Sequence, residues 1–205
     1  MNDLEFAALL VSRVCHDLVS PVGAVVNGLE VLEDETDAAM RADALRLVAA
    51  SAEQAAARLQ FARLAFGAAG SAGAELDLSE VARIVQGLVA GSKVELQWQA
   101  QPLNWPKDWA KLVMNTVLLA MDCLPRGGTV KVETSLEPSS PRFAIVASGS
   151  VARLSTDAAH ALLGEPGGEL DGRSIQPYLT YQLSRSVNAG LTTTTQEGEV
   201  RFVAG

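Results

Sequence analysis

His16 and Asp17 form the pair best suited to chemistry, inside the stretch SRVCHDLVSPVGAVVNGLEVL at residues 12–32. An imidazole on a helix surface can attack phosphorus through a ring nitrogen. The N–P bond it forms is labile, which suits a group that is passed on rather than stored. A carboxylate beside it can accept or orient the proton on the ring. Around the pair, Val11, Val14, Leu18, Val22, Val25, Leu29 and Leu32 recur at intervals of three or four, the period of an amphipathic helix. His16 lies two residues past Val14 and therefore points off this apolar seam. Its helical neighbours are Ser12, Arg13, Val19, Ser20, Gly23 and Asn27, a small and mostly polar face with room at Gly23 for an incoming surface. These six residues are the candidate docking face. Taken singly, Arg13 is a solvated charge and Val19 a stray surface apolar residue. Pro21 removes one backbone hydrogen bond and is expected to bend the helix locally.

The other chemistry-bearing residues are sparse. Cys15 and Cys123 are far apart in the chain. They are too few for a disulfide framework, and their spacing does not suit a zinc site of about four ligands. His160, in DAAHALL, reads as an ordinary surface or cap histidine.

The elements that hold His16 follow from the same periodicity. Leu45, Val48, Ala52, Ala55, Leu59, Ala62 and Phe66 form a second heptad stripe, and the acidic turn EDETDAA separates the two. Residues 3–66 thus read as a hairpin of two long antiparallel helices. Two helices alone cannot cover both sides of such stripes, so a two-fold homodimer with a four-helix bundle is expected. GAAGSAGA, residues 67–74, reads as a linker between a 1–66 domain and a 75–205 domain.

From residue 75 the pattern changes. LDLSEVARIVQGLVAG reads as a short strand and a helix, VELQWQ as a strand, and WAKLVMNTVLLAMDCL as a buried helix. GGTVKVETSLE and PRFAIVASG read as paired strands, residues 155–164 and 177–189 as helices, and LTTTTQEGEVRFVA as a hairpin turning at Glu197-Gly198. The fold class is α followed by α+β, a mostly antiparallel sheet with helices on one face.

Composition narrows the function. With 205 residues, 48% hydrophobic and 20% charged, the chain is neither disordered nor collagen-like. Its net charge of −8 disfavours nucleic acid and anionic lipid as partners and favours proteins or small molecules. No uncharged run reaches the roughly 18 residues of a membrane span. The N-terminal MNDLEFAALL carries two acids before any base, unlike a secretory signal, so a cytoplasmic location is expected.

HDLVSP, residues 16–21, resembles the H-box of two-component histidine kinases. An H-box at the head of a helical hairpin, followed by an α+β domain, resembles their dimerisation-and-phosphotransfer module joined to an ATP-binding sandwich of the GHKL (Bergerat) type. That resemblance implies that His16 is the phosphoacceptor. The second domain departs from the kinase pattern at three places. In VMNTVLLAMDCLPRGGTVKV, Asn115 matches the first Asn of the Asn-rich box, but Leu119 stands where the kinases hold magnesium. In IVASGSVARL, Ala147 stands where their aspartate grips adenine, and Val151 replaces a glycine while Gly149 is kept. SIQPYLTYQL has no glycine to cradle phosphates, and Pro177 lacks the N–H altogether.

A phosphoacceptor hairpin with a degenerate ATP domain resembles the alphaproteobacterial histidine phosphotransferases of the ChpT family. The resemblance implies that a phosphoryl group arrives from the receiver domain of a hybrid histidine kinase. It leaves for the receiver domains of response regulators, including a master cell-cycle transcription factor. His16 would be nucleophile and then donor, with Asp17 orienting the ring. It further implies that the chain binds no ATP and no cofactor of its own, and that Mg²⁺ comes with the receiver partner.

Overall fold

The computed structural model of the protein describes residues 2–67, 74–165 and 169–205. The expected linker therefore lies outside the described residues, apart from its ends Gly67 and Ala74.

Two helices, α1 (Asp3–Asp34) and α2 (Ala38–Ala65), form the hairpin. Their ends are chemically specified. Asn2 and Glu5 make a reciprocal capping box at the start of α1. The acidic turn becomes the α2 cap, with the Asp37 carboxylate accepting from the Ala39 and Met40 N–H groups. Arg41 reaches back to donate to the Leu32 and Glu35 carbonyls, which have no partner within α1. At the crossing, Gly28 is buried, and a Cβ there would stand 2.6 Å from Val48 Cγ2. Glycine thus sets how closely α1 and α2 approach.

Both heptad stripes split in two. Val14, Leu18, Val25 and Leu32 are half-buried in the hairpin with Val48, Ala55 and Ala62, while Val11, Val22, Leu29, Leu45, Ala52 and Leu59 face outward and remain exposed. By length and composition α1 would also pass for a membrane span. Its inner side, however, is packed along α2 and carries an ion-paired arginine described below.

The second half runs β1 (Glu75–Asp77), α3 (Leu78–Val89), β2 (Val94–Trp98), β3 (Asn104–Pro106), α4 (Lys107–Asp122), β4 (Gly128–Thr134), β5 (Phe143–Ser148), α5 (Thr156–Leu162), α6 (Ile175–Ser186), β6 (Thr192–Gln196) and β7 (Glu199–Ala204). Five strands form a sheet in the order β2-β4-β5-β7-β6, parallel between β2 and β4 and antiparallel elsewhere. Every residue of α4 from Ala110 to Ala120 is buried. This helix is the keel of the core and packs against β4, β5, α3, α6 and the end of α2.

Two details differ from the sequence reading. A small antiparallel ladder joins β1 to β3 and sinks Trp105 completely. The segment QPLNWP shows no alternation, so nothing marked it as a strand. Helix α6 starts at Ile175 rather than 177. Pro177 is tolerated inside its first turn because N–H groups there have no intrahelical acceptor.

Candidate functional site

His16 sits midway along α1 with its side chain 87% exposed. Its Nδ1 lies 3.5 Å from Asp17 Oδ1. Nε2, the outer ring nitrogen, is left facing outward. Along the same face Ser12, Val19, Ser20 and Asn27 are exposed and Gly23 is half-buried, and a Cβ added at Gly23 would meet nothing within 4 Å. The hairpin itself thus has no use for the smallness of Gly23.

Arg13 is a correction. It is not a solvated surface charge. Its side chain is only 14% exposed, with Nε donating to Asp17 Oδ2 at 3.0 Å and Nη2 lying 3.6 Å from Asp122 Oδ2 at the end of α4. The reason is tertiary: the end of α4 abuts the first half of α1, and Arg13 turns inward to bridge two carboxylates. Burial works against its charge, but Asp122 and Asp17 outweigh that and hold its pKa above the ordinary value. Desolvation by the surrounding protein pushes the Asp122 carboxyl up, against the pull of Arg13, although its side chain is still half exposed. Asp17 is therefore shared, with one oxygen toward His16 and the other tied to Arg13.

Pro21 lies buried beneath this site, and α1 runs through it without a break. Proline has no N–H to donate to the carbonyl four residues earlier, which is that of Asp17. A guanidinium from the other helix fills the gap: Arg58 Nη1 donates to Asp17 O.

A groove of about 780 Å³ opens beside His16, between α1 and the second domain. Arg153 and Arg173 line its far side, and Ser155 and Asp171 flank them. Sequence reasoning missed Arg58, Asp122, Arg153 and Arg173 as neighbours of His16. They lie far downstream in the sequence, and no local motif marks them. Among the described residues, no group of three His, Cys, Asp or Glu side chains gathers as metal ligands. Cys123 is buried, and desolvation pushes its thiol up to about 12, so it is inert.

The three departures from the kinase pattern are built into the core. Leu119 and Ala147 are buried apolar residues. Asn115 donates to the carbonyls of Ala65 and Lys111, while Gln176 Nε2 donates to both Asn115 O and Asn115 Oδ1. Asn115 thereby ties the end of α2 to α4 and α6. Ile175, Gln176 and Pro177 in the first turn of α6 are buried.

The turn that leads into α6 depends on Asp171, whose carboxylate accepts from the Arg173 and Ser174 N–H groups and from Ser174 Oγ. These bonds, the Ser174 backbone N–H foremost, hold the carboxyl below its ordinary 3.8. The stabilisation is fully present above 3.8 and is lost as pH falls through the lower folded value. Asp171→Ala is expected to cost about 1 kcal/mol at neutral pH. Denaturant melts across the acid range check this: the gap between wild type and variant should close below 3.8.

The family model of the histidine phosphotransferase C-terminal domain matches residues 78–199. Over 205 residues the chain is 36% identical to protein phosphotransferase ChpT of Brucella abortus (strain 2308), covering 100% of this chain and 97% of that protein. Its fold superposes on a solved bacterial phosphotransferase with a TM-score of 0.91 and 34% identity, covering 100% of this chain and 98% of the other. The Acinetobacter baumannii histidine kinase AdeS is a distant likeness, 13% identical with a TM-score of 0.46, over 92% of this chain and 95% of that one. On the full-length identity and the match across most of its second domain, the chain belongs to the histidine phosphotransferase family.

Proposed function

We propose that this chain relays phosphoryl groups between receiver domains through His16. The observation that carries the reading is His16 itself, 87% exposed on an open helical face with its Nδ1 side beside Asp17. In the first step a lone pair on Nε2 attacks the phosphorus of a receiver's aspartyl phosphate. The N–P bond forms, the P–O bond breaks, and the aspartate leaves as a carboxylate. Asp17 holds the ring proton at Nδ1, which keeps Nε2 unprotonated and nucleophilic. Transfer would be in line, and Mg²⁺ held by the receiver partner would supply the neutralisation of phosphoryl charge that this chain's own residues do not. In the second step the phosphohistidine donates to a second receiver aspartate. The donor is the receiver domain of a hybrid histidine kinase, and the acceptors are response regulators, cell-cycle regulators among them. The setting is cytoplasmic.

Three features support a division of labour between residues 1–66 and 75–205. The hairpin carries His16 and an outward apolar stripe that suits a two-fold four-helix bundle. The second domain contributes the far side of the groove, where Arg153 and Arg173 suit an acidic receiver rim. Its nucleotide site is without function: Leu119 and Ala147 are core residues, Ile175, Gln176 and Pro177 in the first turn of α6 are buried, and Pro177 has no N–H to offer a phosphate.

Ser12, Val19, Ser20, Gly23 and Asn27 form the receiver-docking face. Gly23→Leu tests it, since the added side chain enters open space. Stability should hold or rise by up to about 1 kcal/mol from helix propensity. Transfer at low receiver concentration should fall at least roughly tenfold, the effect of losing about 1.4 kcal/mol of docking.

The reading as a whole is tested with a labelled phosphorylated receiver, a second unlabelled receiver, and ATP alone. Label should pass through this chain to the second receiver and never enter from ATP. Direct labelling from ATP would make the chain a kinase. Receiver binding without transfer would make it a sequestering module.

A further inference from the structure

The hydrogen bond between Arg58 and the Asp17 carbonyl joins α2 to the turn of α1 that carries His16. The bond has a specific cause. In an uninterrupted helix the N–H of residue 21 would donate to Asp17 O. Pro21 has no N–H, and a proline ring inside a helix crowds the carbonyl four residues before it. A carbonyl freed in this way needs a donor from elsewhere. Asp17 lines a cavity of about 360 Å³ between the hairpin and the second domain, together with Arg58, Arg13 and Phe61. Arg58 supplies the donor from across the hairpin, 41 residues away. Asp17 is then fixed at three points: its carbonyl by Arg58, and its carboxylate by Arg13 and by the His16 ring.

We propose that Arg58 is a positioning residue for phosphotransfer, replacing the backbone donor that Pro21 removes and so fixing the turn on which His16 and Asp17 are presented. Arg58 touches neither the ring nor an incoming receiver and acts through the Asp17 backbone. The inference rests on the relay reading of His16 above. It predicts coupling between two residues on different helices, neither of which belongs to the docking face.

The test is a cycle of Arg58→Met, Pro21→Ala and the double variant in the full chain. Saturating transfer rate and KM for a phosphorylated receiver are read alongside the carbonyl ¹³C shift of Asp17. Arg58→Met should lower the saturating rate on the order of tenfold, as misplacement of a reacting group does. KM should stay within about twofold, because the docking face is untouched. The Asp17 carbonyl shift should move as its donor is lost. Pro21→Ala restores an N–H at position 21, so the double variant should regain both the wild-type rate and the carbonyl shift. A merely structural arginine would not be rescued by a change on the other helix.

The inference is overturned if Arg58→Met transfers at the wild-type rate, or if the double variant stays as slow as Arg58→Met. A carbonyl shift indifferent to Arg58 also overturns it. Arg58→Gln, polar but too short to reach, gives the same comparison if Arg58→Met does not fold. Should wild type itself take no phosphoryl group, the relay reading falls, while the carbonyl shift still reports on the Arg58–Pro21 exchange.

Discussion

Replacing His16 by alanine is expected to take phosphoryl acceptance from a phosphorylated receiver to background, a loss of at least about a thousandfold. The fold and the oligomeric state should not change. The imidazole is 87% exposed, and its hydrogen-bond partner among the described residues is the adjacent Asp17, so its removal leaves no cavity and no buried partner unpaired. Function has no such reserve. The reaction needs a nitrogen lone pair at this point of the helix, and the chain's other histidine, His160, lies on α5 in the second domain. Quench-flow transfer with purified receiver, beside circular dichroism of the same samples, checks both halves. Appreciable transfer by His16→Ala would move the phosphoacceptor elsewhere.

The second large effect concerns assembly. Leu45 and Leu59 on α2 are 57% and 54% exposed, and Ala52 between them is also exposed, so one heptad register is left open to solvent. Val22, Val26 and Leu29 form the matching stripe on α1. A homodimer would bury both stripes in a four-helix bundle, and two-fold symmetry would bring each substitution into the interface twice. Leu45→Glu with Leu59→Glu should therefore weaken the dimer by at least about a thousandfold, since each unpaired charge carried into an apolar seam costs several kcal/mol. The hairpin itself should survive, because both residues point away from α1. Analytical ultracentrifugation reads this directly, with wild type expected as dimer and the double variant as monomer. A monomeric wild type would overturn the assembly.

Much of the site was legible in the sequence because it is local. His16 and its neighbours Ser12, Val19, Ser20, Gly23 and Asn27 share one helix face, and helical period alone puts them there. The hairpin was legible for the same reason, since both stripes run for several turns. What was not legible depends on tertiary contact. Arg13 has the spacing of a surface residue, yet α4 covers it and turns it toward Asp122. Arg58 sits in an alanine-rich run with no motif. Its role appears only when the carbonyl freed by Pro21 is followed across to α2. Pro21 was read as a local bend, but its sequence neighbours gave no sign of the substitute donor on α2. In the second domain, β3 was missed because NWP lacks alternation, and only burial of Trp105 against the core gives it a structural role.

The central claim is that the phosphoryl group resides on His16 between two receivers. The most direct measurement is to stop the relay midway at alkaline pH, digest the chain and locate the phosphoryl group by mass spectrometry. The account predicts an acid-labile phosphate on the peptide containing His16, present after incubation with a phosphorylated receiver and absent after incubation with ATP alone. Phosphate on any other residue, or on His16 from ATP alone, would contradict it.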